Sequence, residues 1–212
     1  MNKDLHTVQV YNEHVNSYIS KFMDLGLYKQ TFTPLLENLP ANARVLELGC
    51  GPGNVVQYLK GERPDLHFLG IDLAPRMIDA AKRANPSEQF EVMDITDAGS
   101  IQERFDAVIA AFCLPYLSYD DVPKLFRNMQ QLTTDKGWIY VSCMEGTKER
   151  SGFEKTSFTG DDEMYINYYE RKEIEELLKH SGFCIKHFVT KDYPEMDGSF
   201  TTDIFFLAKK VE

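Results

Sequence analysis

Apolar residues recur at two different periods along this chain. From residue 8 to 22 they fall three and four apart, at Val8, Tyr11, Val15, Tyr18 and Phe22. That spacing predicts one N-terminal helix with a single apolar face, ended near Gly26. Thr33-Pro34 opens a second helical piece carrying Leu35, Leu36 and Leu39, and Pro40 closes it. From Arg44 onward short apolar runs alternate with amphipathic stretches. Strands are expected over 44–48, 67–73, 89–95, 105–112 and 137–144. Between them, helices are expected at 55–59 (stopped by Gly61), at 75–84 (opened by Pro75), and after Asp120-Asp121 with Val122, Leu125, Phe126, Met129 and Leu132 on one face. Residues 145–169 carry no clear period. A helix follows, with Ile174, Leu177, Leu178 and Ser181 inward and Gly182 at its end. Two apolar runs, 183–189 and 202–209, finish the chain about the turn-rich segment Tyr193 to Gly198, which suits a hairpin.

Strand–helix alternation predicts an α/β fold: a Rossmann-like doubly wound sheet of seven strands, mostly parallel, with an antiparallel last strand and an N-terminal helical cap. At 212 residues the chain reads as a single domain. Its parts are a cap (1–40), a ligand-binding half (41–144) and a closing segment of loop, helix and hairpin (145–212). The cap reads either as a packing cover or as a lid.

Composition narrows the partners. The net charge of −10 argues against a nucleic-acid backbone, which is gripped by clustered Lys and Arg. No apolar run is long enough to cross a membrane, and the N-terminus lacks the apolar run of a secretory leader, so the expected location is the cytoplasm. Cys50, Cys113, Cys143 and Cys184 lie far apart in apolar runs, without Cys-x-x-Cys spacing. They read as buried free thiols, and no metal site is expected. Monomer and homodimer both remain open.

The chemistry centres on Arg44 to Asn54, where a strand meets Gly49, Gly51 and Gly53 and then a helix. Such a junction brings backbone close to a ligand and offers it N–H groups. Three acids stand at strand ends or beside the turn: Glu47, Asp72 and Asp94. Asp72 lies 23 residues after Gly49 and ends the second strand, where a carboxylate can accept both hydroxyls of a ribose. The glycine pattern is Gly-x-Gly-x-Gly, with Asn54 where a dinucleotide fingerprint needs a third glycine. Glu47 would repel a pyrophosphate but suits an ammonium or a sulfonium. Asp94 also suits a turn or cap, and Met77 also suits the core.

Residues 45–54, Val-Leu-Glu-Leu-Gly-Cys-Gly-Pro-Gly-Asn, resemble motif I of the class I S-adenosylmethionine-dependent methyltransferases. Gly70-Ile-Asp72 resembles that family's ribose-binding motif, Glu91 to Ile95 its adenine-contacting motif, and Phe105 to Cys113 its fourth-strand motif. The resemblance covers roughly residues 40–212; the cap and hairpin resemble its small-molecule branch. Thr134-Asp-Lys-Gly137 departs from the family's usual Leu-x-Pro-Gly-Gly and is expected to be a turn before a strand. The resemblance implies S-adenosylmethionine as cofactor. The Gly49–Gly53 backbone, with Cys50 and Gly51, would hold the methionine part, beside Glu47. Asp72 would bind the ribose. Leu73 and Met77 would line the adenine, with Asp94 and the Ile95 N–H on its edge. Ala111 and Phe112 would lie beside the transferable methyl.

The implied acceptor is an O, N or S atom of a small molecule. Phe112-Cys-Leu-Pro-Tyr116 differs from the Asp/Asn-Pro-Pro-Tyr used on base amino groups, and no Pro-Cys pair occurs. Acceptor-facing candidates are Tyr11, His14 and Tyr18 on one helical face, Tyr116 after the fourth strand, and Tyr165, Tyr168 and Tyr169. Tyr11, His14 and Tyr116 are the candidates for proton transfer, though methyl transfer needs no general base when proximity and water exclusion suffice. Two other readings stand beside this one: a non-catalytic module that binds S-adenosylmethionine or a nucleotide, and an NAD(P)-dependent oxidoreductase.

Overall fold

The computed structural model describes residues 3–195 and 198–211. Its N-terminal helix is two helices, not one. α1 (Lys3–Glu13) and α2 (Val15–Phe22) meet at His14, whose backbone leaves the helical region at φ −106° and ψ 20°. The bend serves two clusters. Val10 packs with Met164, Ile166 and Tyr168, while Val15 packs with Ala74, Met77 and Ala80. Gly26 does not end this helix. At φ 46° it opens a 3-10 stretch, Gly26–Phe32, that leads into α3 (Thr33–Asn38). Leu39, ahead of Pro40, is extended at ψ 135°, as the proline ring demands.

β1 (Arg44–Leu48) is buried from Val45 to Leu48, the burial of a strand covered on both faces. α4 (Asn54–Glu62) follows and runs through Gly61. A glycine costs a helix only about 1 kcal/mol. Burial of Val55, Val56 and Leu59, at about 1.5–3 kcal/mol for each large apolar side chain, outweighs it. β2 (His67–Asp72) and α5 (Pro75–Ala84) match their expected bounds closely. β3 (Gln89–Val92) stops earlier than expected, because the Asp94 carboxylate accepts the Thr96 N–H (2.8 Å) and starts a 3-10 turn over Ile95–Ser100.

β4 (Phe105–Ala111), α6 (Val122–Leu132) and β5 (Thr133–Met144) come next. The turn expected at Thr134 to Gly137 is instead the start of β5, where the pairing with β4 shifts register. A Cβ on Gly137 would stand 2.6 Å from Thr133 Cγ2, so this irregular pairing needs glycine. The stretch without a clear period holds a two-stranded ribbon, β6 (Gly152–Lys155) and β7 (Glu163–Ile166). Four residues per strand are too few for a period to show. α7 (Arg171–His180) begins at a capping box between Glu170 and Glu173. β8 (Phe183–Pro194) and β9 (Phe200–Lys210) form the terminal hairpin. Part of its expected turn, Met196 and Asp197, lies outside the described residues; Glu195 N–H meets the Ser199 carbonyl at 2.9 Å.

The main sheet has the order β3-β2-β1-β4-β5-β9-β8. Its pairs from β3 to β5 are parallel, and β9 runs antiparallel to both neighbours. One face carries α6 and α7 on Leu46, Val108, Ile139 and Phe206. The other carries α3, α4 and α5 on Val45, Ala107, Tyr140 and Phe205. Cys50, Cys113 and Cys143 are buried free thiols, but Cys184 is exposed, because it stands on the outer strand β8. Among the described residues no helix is long and apolar enough to cross a membrane.

Gly70 shows how tightly the sheet meets the turn after β1. A Cβ there would lie 2.6 Å from the Phe90 ring and 3.0 Å from Cys50 Sγ. Gly70→Ala is expected to lower the urea unfolding free energy by about 1–3 kcal/mol, the usual cost of overpacking. An unchanged midpoint and slope would show that Phe90 yields freely.

Candidate active site

Strand order reverses between β1 and β4, and a doubly wound sheet opens its crevice at such a point, beyond the carboxyl ends of the strands. A cavity of about 560 Å³ lies there. Its wall includes Glu47, Gly49, Cys50 and Gly51 from β1 and its turn, and Asp72 and Leu73 from the end of β2. Asp94 and Ile95 follow β3, and Ala111 and Phe112 end β4. Gly53 and Met77 are not part of the wall. Gly53, at φ 77°, caps α4 and packs beneath Asn85 and Ala81. Met77 is 1% exposed and packs against the cap. Both therefore support the site from behind.

The turn does not aim N–H groups outward. Gly49 and Cys50 N–H both donate to the Ile71 carbonyl, at 2.8 and 3.0 Å. Gly51 N–H donates to Asp72 Oδ2 (2.9 Å), and Gly53 N–H to the Cys50 carbonyl (2.9 Å). The sequence-based expectation of free donors is thus corrected: the turn uses them to bind itself to β2. Its bare Cα atoms still leave room, and positive φ at Gly49, Gly51 and Gly53 explains why glycine stands at each.

The acids match a cationic, hydroxylated ligand. Glu47 is 2% exposed, and its Oε2 has no hydrogen-bond partner. Burial first, then the nearby Asp72 charge, pushes its carboxyl well above the ordinary range, opposed by the Val56 N–H. A buried acceptor without a partner is costly, and a cationic or N–H-bearing ligand relieves it. Asp72 is held by the N–H groups of Gly51 (Oδ2) and Ala74 (Oδ1, 2.8 Å). A carboxylate has about four acceptor positions, so room remains for two hydroxyls. Leu73 is 37% exposed beside it, an apolar surface suited to a ring. The residues therefore fit S-adenosylmethionine better than a pyrophosphate ligand. Phe112 holds φ 54°, uncommon for a bulky residue, with its N–H on Ser142 O (3.2 Å) and Oγ (3.1 Å).

The cap roofs this cavity. Tyr11 and Tyr18 line it with ring centroids 5.6 Å apart, and Phe158, from the connection between β6 and β7, packs on both at 5.4 and 5.1 Å. Tyr116 meets Tyr11 edge-on at 5.4 Å. Burial pushes the Tyr11, Tyr18 and Tyr116 phenols up, so they are neutral hydrogen-bonding groups at ordinary pH. His14 does not reach the cavity wall: its Nε2 pairs with Asp162 Oδ2 at 2.6 Å and ties the cap to the ribbon. His6 Nε2 to the Glu163 carbonyl (2.8 Å) and Lys21 Nζ to the Ser157 carbonyl (3.2 Å) add to that seam. Tyr168 lines the cavity, Tyr169 lies in the main core, and Tyr165 packs on Phe153 at 5.3 Å, outside the wall.

Tyr28 and Asp203 are among the wall residues that the sequence reading did not single out. Tyr28, in the 3-10 stretch, donates its hydroxyl to Asp203 Oδ2 on β9 at 2.6 Å. Its ring lies 5.2 Å from Phe112. An acid inside the apolar run 202–209 was the available signal for Asp203. Tyr28 carried none, because it sits between the periods of its neighbours.

A family model described as "Methyltransferase domain" matches residues 11–187. The chain is 25% identical over 190 residues to the demethylmenaquinone methyltransferase of Thermotoga maritima, covering 80% of this chain and 81% of that protein. It is 35% identical over 114 residues to the methyltransferase-named protein 235L of Invertebrate iridescent virus 6, covering 53% of this chain but only 41% of the viral one. The structure of magnesium protoporphyrin IX methyltransferase from Synechocystis, solved with bound S-adenosylmethionine, superposes with TM-score 0.71. The identity is 14%, over 99% of this chain and 98% of that one, a likeness of fold.

Glu47 makes a testable contribution to the stability of the free protein. Its folded-state pKa is raised, so the native state holds its proton more tightly than the unfolded one. Stability from this group therefore falls as pH rises above about 4.5, the ordinary glutamate range. Glu47→Gln is expected to unfold at a higher temperature than the parent at pH 8, with the gap closing toward pH 4. A gap that does not vary with pH would mean the carboxyl is not held protonated by the fold.

Proposed function

The chain belongs to the methyltransferase-domain family, and on that premise we propose that it moves the methyl group of S-adenosylmethionine to an oxygen, nitrogen or sulfur of a small molecule. The observation that carries the site assignment is the unpartnered Glu47 Oε2, buried in a cavity whose turn has no spare N–H for a phosphate. When bound, the cofactor supplies a methyl group already activated on a positively charged sulfur. Glu47 would accept from the ammonium of its methionine part, directly or through water. Asp72, oriented by Gly51 and Ala74, would accept from the ribose hydroxyls. Leu73 and Ile95 would flank the adenine. Asp94 has one oxygen on Thr96 N–H and would offer the other to the adenine amino group. Ala111 and Phe112 would border the methyl.

The rest of the work is positioning. Well-oriented reactants can lower a barrier by about 7–11 kcal/mol, more than the factor of about 10²–10⁴ that a general base supplies. The aromatic roof of Tyr11, Tyr18 and Phe158 would exclude water and hold the acceptor against the methyl.

Thermal unfolding with S-adenosylmethionine, S-adenosylhomocysteine, NAD and NADP tests the reading. The two sulfur compounds are expected to stabilise the protein, by about 2.7 kcal/mol at one hundred times Kd, and the dinucleotides are not. Asp72→Ala is expected to weaken S-adenosylhomocysteine binding at least about tenfold while the protein stays folded, since each hydrogen bond to a charged group contributes about 1.5–3 kcal/mol. Stabilisation by the dinucleotides alone overturns the assignment, and release of S-adenosylhomocysteine with small acceptors separates an enzyme from a binding module.

A further inference from the structure

Beyond Glu47, Asp72 and Asp94, the cavity wall has a chemistry of its own. It carries the further acids Asp203, Glu195, Glu154 and Asp24, of which Asp24 is paired with Lys29 (2.6 Å) and Glu154 accepts from the Tyr168 hydroxyl (2.9 Å). Among the described residues of the wall the only cations are Lys21 and Lys155, and both are engaged, on the Ser157 carbonyl (3.2 Å) and on Asp161 (2.9 Å). Arg150 lies nearby but is turned to Thr201 Oγ1 (3.2 Å) and stacks over the Tyr168 ring at 4.0 Å. A carboxylate acceptor is normally held by an arginine fork or a free lysine. Among the described residues the wall holds no arginine, and its acids outnumber Lys21 and Lys155, so a negatively charged acceptor is disfavoured.

Asp203 is the most deeply placed of these acids, 2% exposed, yet it borders the cavity. It is joined to Tyr28 at 2.6 Å, and Tyr28 touches Phe112, the residue that ends β4 at the proposed methyl position. Resting on the methyl-transfer reading above, we propose that Tyr28 and Asp203 form its proton-accepting pair, and that the acceptor is a protic nucleophile without negative charge, a hydroxyl, amine or thiol. The acceptor atom's lone pair forms the bond to the methyl carbon as the carbon–sulfur bond breaks, its electrons remaining on sulfur. The acceptor's proton passes to Asp203, either directly or by way of Tyr28, which takes that proton as its own moves to Asp203. Solvent receives it after product leaves.

The surroundings suit that task. Burial pushes the Asp203 carboxyl up to about 7, with Glu195 and Asp192 adding to the rise and the Tyr28 hydrogen bond opposing it. A base poised near the working pH is the efficient one. Other groups facing it are Lys191 opposite it in the β8–β9 register and Tyr140 and Cys143 on β5, while Tyr193 on β8 faces its partner Tyr28. Thr201, beside it on β9, accepts from Arg150.

The test uses the full chain, with Asp203→Asn and Tyr28→Phe. S-adenosylhomocysteine binding, measured by calorimetry, is expected within threefold of the parent in both, which separates this proposal from the site assignment. Failure of the parent to bind it overturns the assignment instead. With phenol, catechol, benzylamine, phenylmethanethiol, benzoate and citrate as probes, turnover is expected on uncharged or cationic members and not on the carboxylates. On such a probe Asp203→Asn is expected to lose about 10²–10⁴-fold in kcat and the rise in rate through pH 7. Tyr28→Phe is expected to move that rise to higher pH, because the lost hydrogen bond favoured the ionised form. Independently of activity, infrared difference spectra are expected to show a carboxyl band titrating near pH 7 that Asp203→Asn removes. A band that persists in that variant, turnover of carboxylates alone, or Asp203→Asn activity within threefold of the parent overturns the proposal.

Discussion

A buried carboxyl with one unpartnered oxygen, in the middle of the sheet, is the constraint on which the site depends. Glu47 sits on β1 between Gly70 of β2 and Ile109 of β4, where a fully buried strand ordinarily carries only apolar side chains. Its unpartnered oxygen costs the free protein stability and makes the cavity a better home for a cation than water is. The surrounding parts follow from it. The glycine turn lines the same cavity as this acid, and Asp72 ties that turn to β2. The same bond orients Asp72, so one interaction shapes the turn and positions the second acid.

The fold around these acids is rigid where they stand and built of separate pieces where the acceptor would enter. The crevice end of the sheet holds Glu47, Asp72, Ala111 and Phe112 on three parallel strands, β1, β2 and β4, or the first residue after them. The roof comes instead from α1, α2, the 3-10 stretch and the β6–β7 ribbon, joined by His6, His14 and Lys21 and by stacked rings. Side-chain contacts and stacked rings, rather than a strand ladder, make that seam. The terminal hairpin adds the far wall. Its β9 lies inside the sheet between β5 and β8, which places Asp203 at the cavity rather than at an edge.

Much of this was legible in the residues. Alternating strand and helix periods specified the doubly wound sheet, since each apolar run needs two covered faces. The acids at strand ends marked the crevice, because an ionisable residue beside an apolar run has to face something polar. Legibility ended where a signal was local and short. The two four-residue strands of the ribbon, the break at His14 and the continuation of α4 through Gly61 were each decided by packing against distant residues. Cys184 shows the same limit, for its exposure depends on β8 being an outer strand.

The sequence by itself determined the fold class and the strand-end acids that line the crevice, because strand period, glycine spacing and strand-end carboxylates are properties of contiguous residues. Only the tertiary structure decided what the turn offers and what faces the acceptor. Whether an N–H is free depends on which carbonyl lies across from it, and Ile71 and Asp72 claim those of Gly49, Cys50 and Gly51. Whether a residue lines a cavity depends on elements brought together from far along the chain. That is why Met77 and Gly53 stand behind the wall, His14 pairs with Asp162, and Tyr28 meets Asp203 across 175 residues.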